Sequence, residues 1–272
     1  MAKNALRSLL ADSTSAVDQA IGDVRADRSR LPVVFPGLPR RLGRMVVGQG
    51  RTKVGPGTID LGAFRRCDVG AALLLLELDV GADEAYDLYA HGDIEERAML
   101  LRSLHFLPTG PLTVRLFGDV QRTNVVLHLE AALADGDLLV RTLGAPGFDR
   151  QAADKLLLKY AFLDLPLARA FFAERLANVE LSRMLQDLAT EREAAGRSVW
   201  RDTWRLLGRA PCKGAVARLV GGLEHGDDGV RLAAAEGLLS LNRADLRPFV
   251  AERLPREPRA DVRAVLQRLL GS

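Results

Sequence analysis

The chain is poor in the residues that most often carry chemistry: 272 residues hold two cysteines, four histidines, two tryptophans and three tyrosines. Cys67 and Cys212 are far apart in sequence and neither belongs to a CxxC pair. A cysteine-based metal site or a disulfide framework is therefore not expected, and a reduced, cytoplasmic setting is. Lysine is scarce too, since 33 of the 38 basic residues are arginine. The net charge of +3 is too small for a nucleic-acid footprint unless the charge is clustered. No GxSxG, HExxH or P-loop spacing occurs, so no catalytic set and no cofactor or metal is expected. The longest apolar run, "VGAALLLLELDV" (69–80), is broken by Glu77 and Asp79 and is too short to span a bilayer. Residues 1–31 contain four aspartates, which rules out an apolar signal core there.

Leu, Ala and Arg dominate, and aromatics make up only 5% of the chain. That composition favours helix over sheet. A polar helix is expected over 4–30. The stretch 31–57 reads as a Pro- and Gly-rich loop with short extended pieces. Helices are then expected at 61–79, 83–90, 93–106, 112–133, 149–163, 166–176, 178–195, 200–208, 212–224, 228–241, 244–253 and 259–270. No alternating strand pattern stands out.

The stretch "HGDIEERAMLLRSLHFLP" (91–108) holds two of the four histidines around a pair of glutamates. Helix geometry argues against a metal site there. Asp93 and Glu96 make a capping box. A helix starting at Ile94 then puts His91 and His105 about 20 Å apart. Glu95 and Glu96 fall in the first turn, where they offset the helix dipole.

Three polar residues are predicted inside apolar stripes. Arg192 falls among Leu181, Leu185, Leu188 and Ala189, Arg97 among Leu100, Leu101 and Leu104, and Asn124 among Leu116, Val120, Leu127 and Ala131. A buried guanidinium needs a carboxylate or several carbonyls. These residues therefore form either an internal polar network or the lining of a pocket for a polar or anionic small molecule. Trp200 and Trp204 are expected to share a helix face and to pack. The segment "RRLGRMVVGQGRTK" gathers Arg40, Arg41, Arg44, Arg51 and Lys53 around Gly48 and Gly50, either as an anion-binding loop or as a solvated one.

"DDGVRLAAAEGLLSL" (227–241) and "RADVRAVLQRLL" (259–270) share an acid at the helix start, then Val-Arg, then Ala and Leu. This looks like the second helix of a HEAT-type repeat, which hides its apolar face by stacking on neighbours. The expected fold is all-α, an α-α superhelix or HEAT-like α-solenoid with a Pro/Gly-rich N-terminal loop. The expected divisions are 1–60 (helix and basic loop), 61–210 and a repeat tail at 211–272.

Several segments in order, "PRRLGR" (39–44), "LYAHGDIEERAMLLRSLHFLP" (88–108), "RTN" (122–124), "DKLLLKYAF" (154–162) and "ERLANVELSRMLQDLATEREAAGRSVWRDTWRLLG" (174–208), resemble the EboA-like family. The resemblance spans roughly 35–210 and makes 61–210 an EboA-like domain. It implies a non-enzymatic cytoplasmic protein in secondary-metabolite traffic, acting on a prenylated or otherwise apolar precursor through a concave surface. The implied partners are other ebo-operon proteins, including a UbiA-type membrane prenyltransferase, which would bring the chain to the inner face of the membrane. The family's polar positions map to Arg122, Asn124, Lys159, Asn178, Arg183, Asp187, Glu191, Arg192 and Arg197. Two stretches depart from the family pattern: "ADGDLLV" (134–140) replaces an Asn-Pro-Tyr-Pro stretch, and Ala153, Asp154 and Lys155 replace a Trp-Asn-Gln. The competing expectation is a HEAT-type nucleic-acid-binding protein that uses the Arg-rich loop 39–53.

Overall fold

The computed structural model describes residues 2–197, 199 and 203–271. Two compact units follow each other along the chain, residues 1–156 and 157–272.

The first unit is built around one helix that is apolar on nearly every side. It opens with α1 (Ala2–Leu10), α2 (Thr14–Ala26) and α3 (Leu31–Leu42). A hairpin of β1 (Arg51–Val54) and β2 (Gly57–Asp60) follows, then α4 (Arg66–Glu77). Every residue from Cys67 to Leu75 is buried, so the longest apolar run of the sequence is the axis of this unit. Helices α1, α2, α3 and a later helix, α6 (Ile94–Ser103), pack directly against it. Asp68, fully buried at the start of α4, is held by the Arg65 guanidinium at 3.0 Å, and Arg65 also reaches Glu95 at 2.7 Å.

The stretch 31–42 is helix, not loop. Leu31, Val34, Phe35, Leu38 and Leu42 are all buried at helical spacing. That burial outweighs the two donors lost at Pro36 and Pro39. Arg40 and Arg41 therefore sit on the last turn of a helix. The hairpin closes through Gly55 (φ +60°) and Pro56, with Val54 opposite Gly57. A two-residue turn of this kind calls for positive φ at its first position.

After α5 (Ala82–His91) and α6 come α7 (Pro111–Arg122), α8 (Val126–Leu133), α9 (Leu138–Thr142) and α10 (Arg150–Phe162). The capping box at Asp93 and Glu96 is formed as expected. The single helix expected over 112–133 is two helices. Thr123 Oγ1 accepts from the Val125 N–H at 3.1 Å, a local turn that competes with helix.

His105 is fully buried, edge-on to Phe64, with Nε2 2.8 Å from the Ala131 carbonyl. Gly57 and Gly136 leave room for it. A Cβ on Gly57 would come within 2.3 Å of the His105 carbonyl oxygen, and one on Gly136 within 2.5 Å of its Nδ1.

In the second unit, α11 (Val179–Ala194) and α12 (Thr203–Arg209) precede α13 (Ala215–Gly222), α14 (Asp228–Leu241), α15 (Arg247–Arg253) and α16 (Ala260–Gly271). The expected helix at 166–176 is instead short 3-10 turns, because Phe172 takes a left-handed backbone at φ +58°. Trp200 lies outside the described residues, whereas Trp204 is buried in the core with Leu207, Leu219, Leu238 and Leu266. Helices α13 and α14 pack as neighbours, as do α15 and α16, and α14 also packs on α16. Arg231 ties this group together: it donates to Glu257 at 2.9 Å and to the carbonyls of His225 and Gly226. Burial works against the Glu257 carboxylate, yet hydrogen bonds from Arg231 and Arg253 hold its pKa down at about 2. Among the described residues the chain is overwhelmingly helical, with one two-stranded sheet. No described helix is long and apolar enough to cross a membrane. Each unit holds one buried free cysteine, Cys67 in the first and Cys212 in the second.

Two expected outcomes follow from these contacts. A Cβ on Gly208 would meet the Gly237 backbone at 2.2 Å, while Gly221 has nothing within 4 Å. Gly208→Ala is expected to destabilise by about 2 kcal/mol and Gly221→Ala to be neutral or stabilising by up to about 1 kcal/mol, as read by urea unfolding. Burial also holds the His105 pKa down at about 3, against ~6.5 in an unfolded chain. The unfolded state therefore takes up a proton first, and the contribution of this residue is complete above about pH 6.5 and falls as the pH drops toward 3. Between pH 6.5 and 4.5, wild type should lose about 2 kcal/mol more stability than His105→Phe; equal losses in the two proteins would remove His105 as the cause.

Candidate functional site

A cavity of about 350 Å³ opens in the first unit, lined by Tyr86, Tyr89 and Ala90 of α5, Arg97 of α6, Asp119 and Arg122 of α7, Thr123, and His128 of α8. Four helices supply its wall. The turn at Thr123 brings α8 back against α7 and sets His128 beside the end of that helix.

Each polar group has a definite environment. Arg97 donates through Nε to the Gly92 carbonyl and through Nη2 to the Ala90 carbonyl, both at 2.8 Å, and its guanidinium lies 5.4 Å from the Tyr89 ring centre. These carbonyls come from the end of α5 and the residue after it, where a cation complements the helix dipole. Arg122, three-quarters exposed, pairs with Asp119 Oδ1 at 2.5 Å. Asp119 Oδ2 is buried and has no hydrogen-bond partner among the described residues. His128 is 2% exposed, with Nε2 3.0 Å from the Ile94 carbonyl and Nδ1 buried without a partner. Burial lowers the pKa of His128, so the ring is neutral near pH 7. Burial, together with the charge of Asp119, pushes Tyr89 up to about 12. The lining thus brings together two tyrosine rings, two guanidinium groups, a carboxylate and a neutral imidazole, but it lacks a nucleophile paired with a base.

The other expected site residues are spread through the fold. Asn124 is exposed in the link between α7 and α8, next to the cavity lining but outside the apolar stripe where periodicity had put it. In the second unit Lys159 stands near the Phe162 ring. Asn178 caps α11 by accepting from the Leu181 N–H at 2.9 Å. Arg183 bridges Glu180 and Asp187 on the exposed face of α11, and Glu191 lies one turn further along. Arg192 is largely buried and pairs with Asp164, whose carboxylate is mostly exposed, so its charge is met at the surface. Arg197 is exposed just beyond the helix.

The basic residues of 39–53 divide between two elements and a link. Arg40 and Arg41 end α3, Arg44 follows it, and Arg51 and Lys53 stand on β1. Arg41 is paired with Asp23 at 2.8 Å, and Arg44 lies 4.0 Å from Glu95.

The departure "ADGDLLV" has a clear structural place. Asp135 pairs with Arg102 at 2.7 Å, and both are buried. Burial raises the Asp135 carboxyl to about 6 despite that partner. Asp137 accepts from Arg141 Nε at 2.9 Å, and Arg141 also donates to the carbonyls of His105 and Leu107 at the end of the α6 segment. The backbone completes the join: the Asp60 N–H donates to the Asp135 carbonyl and the Asp137 N–H to the Thr58 carbonyl. These residues fasten the hairpin to the helices. Asp154 of the second departure is also buried.

Sequence reasoning singled out Arg97 and Arg122 but missed Asp119, Tyr89 and Tyr86. The available signal was the Thr-Asn pair at 123–124, a turn former that ends α7 and lets the two helices meet.

Together these features define a helical protein with a polar cavity in its first unit and no assembled catalytic set among the described residues. The family model described as "Metabolite traffic protein EboA" matches residues 65–208. The chain belongs to the EboA family, whose members are described as metabolite traffic proteins. No curated protein and no solved structure matches it.

Removing one partner of the Arg102–Asp135 pair leaves a buried charge unmatched. Arg102→Met is expected to cost about 3–5 kcal/mol, and Arg102→Met with Asp135→Leu to recover at least half of it. Urea titration of both variants checks this, and equal losses would show that the pair is not coupled.

Proposed function

We propose that the chain binds a small metabolite in the cavity formed by α5, α6, α7 and α8 and hands it on without changing it. The observation that carries this reading is the meeting of Arg97, Arg122 and Asp119 with the rings of Tyr86 and Tyr89 in the lining of one cavity. The cargo is the polar head of a prenylated or otherwise apolar precursor, with its apolar part left outside the polar wall. The stacked C-terminal helix pairs, HEAT-like in sequence, and the charged row Arg183, Asp187 and Glu191 on α11 form the surface for a partner protein. A UbiA-type membrane prenyltransferase of the same operon suits that role, and would draw the chain to the inner face of the membrane. The basic residues of 39–53, two of them already close to carboxylates, offer little clustered charge to a nucleic acid.

The test is retention. The purified chain is incubated with a small-molecule extract of cells that carry the operon, passed through a desalting column, and its bound compounds identified by mass. Wild type should retain a compound and release it with its mass unchanged. Arg122→Ala, a change at an exposed side chain, should hold about tenfold less of it. An empty wild-type protein, or a compound released with altered mass, refutes the reading.

A further inference from the structure

Helix α3 turns toward solvent a face that a free helix rarely keeps. From Leu31 to Pro39 it carries no charged side chain and no side chain able to hydrogen-bond. Its buried row faces the core, yet Pro32 and Val33 are exposed, Val33 by 75%, and Pro36 and Gly37 are half-buried on the same side. The solvated face of a helix is ordinarily polar. Arg40 stands on this face, two turns beyond Val33. It is exposed and makes no ion pair among the described residues, whereas its neighbour Arg41 is paired with Asp23.

Beside the start of this face lies a groove of about 220 Å³ with an apolar floor of Leu31, Pro32, Phe35, Pro36 and Leu88. Its rim carries three carboxylates, Glu84, Asp87 and Glu96, and neither lysine nor arginine. Glu84 accepts from Arg28, and Glu96 accepts from the Asp93 N–H. Asp87 is exposed and makes no ion pair among the described residues. Ile94, between Gly92 and Glu96 of the same wall, is 55% exposed. One surface thus presents an uncharged strip, with an unpaired carboxylate beside its start and an unpaired guanidinium near its end.

We propose that the chain pairs with a second copy of itself across this strip, the two α3 helices antiparallel about a two-fold axis near Gly37. Such an axis sets the start of one helix against the end of the other. Val33 of one protomer then meets the aliphatic stem of Arg40 of its partner, and that guanidinium reaches Asp87 at the rim of the groove. The same contact is made twice. Gly37 gives the crossing point room: a Cβ there would have nothing within 4 Å, so the two backbones can approach closely. The rim argues against an anionic lipid surface as the occupant, because its three carboxylates would meet headgroups of like charge. The groove shares no lining residue with the metabolite cavity, so the pairing stands or falls apart from that reading.

Sedimentation velocity of the full chain, over about 1 to 100 μM, should show a dimer that grows with concentration. Asp87→Arg and Arg40→Glu should each weaken it by about tenfold or more, because each change sets like charges against each other in both contacts. An equal mixture of the two variants should dimerise with close to wild-type strength. In the mixed pair each contact again joins an arginine to a carboxylate, and recovery also shows that both variants are folded. A wild type that stays monomeric over the whole range overturns the proposal. So does a dimer that neither change weakens, and so does a mixture that stays as weak as the variants alone.

Discussion

A guanidinium withdrawn from water has to be met by a carboxylate or by carbonyls, and that requirement organises both units. In the first, Arg102 and Asp135 are buried against each other, and the segment that supplies Asp135 also supplies the backbone groups that hold β2. The hairpin, α6 and α9 are therefore fixed together by one set of polar contacts. In the second, Arg231 joins the start of α14 to Glu257, just before α16. Apolar burial supplies most of the drive to fold, but it is tolerant of register. The matched charges are not, because a slip would strand them in the interior.

The same rule can be followed around the cavity. Elsewhere in the first unit the buried arginines are satisfied by carboxylates or helix-end carbonyls, and Arg97 itself is. At the cavity the accounting fails on the acceptor side, at Asp119 Oδ2 and His128 Nδ1. Native interiors leave few such atoms unmatched; these two belong to lining residues but are themselves closed off from solvent, and His105 Nδ1, away from the cavity, is a third in this unit.

Much of the helical framework was legible because its signals are local. The capping box at Asp93 and Glu96, the amphipathic run of α11 and the matching starts of α14 and α16 depend on residues within a few turns. What escaped was set by tertiary burial. Helix α3 was hidden by Pro36, Gly37 and Pro39, and only the buried row from Leu31 to Leu42 explains it. The break at Thr123 was masked by apolar spacing that runs through it, which is why Asn124 was placed on the wrong side. The cavity was half legible: Arg97 and Arg122 drew attention as charged residues in telling positions, but Asp119 and Tyr89 gain meaning only once α5, α7 and α8 are brought together.

The two thiols have a practical consequence. Burial pushes Cys67 up to about 11 and also raises Cys212, so neither is a ready nucleophile at neutral pH. Each compact unit thus carries a single thiol, sealed while the unit is closed and reactive once it opens. The protein comes with one built-in reporter per unit: the order in which a thiol reagent labels the two positions reads out which half of the chain comes apart first.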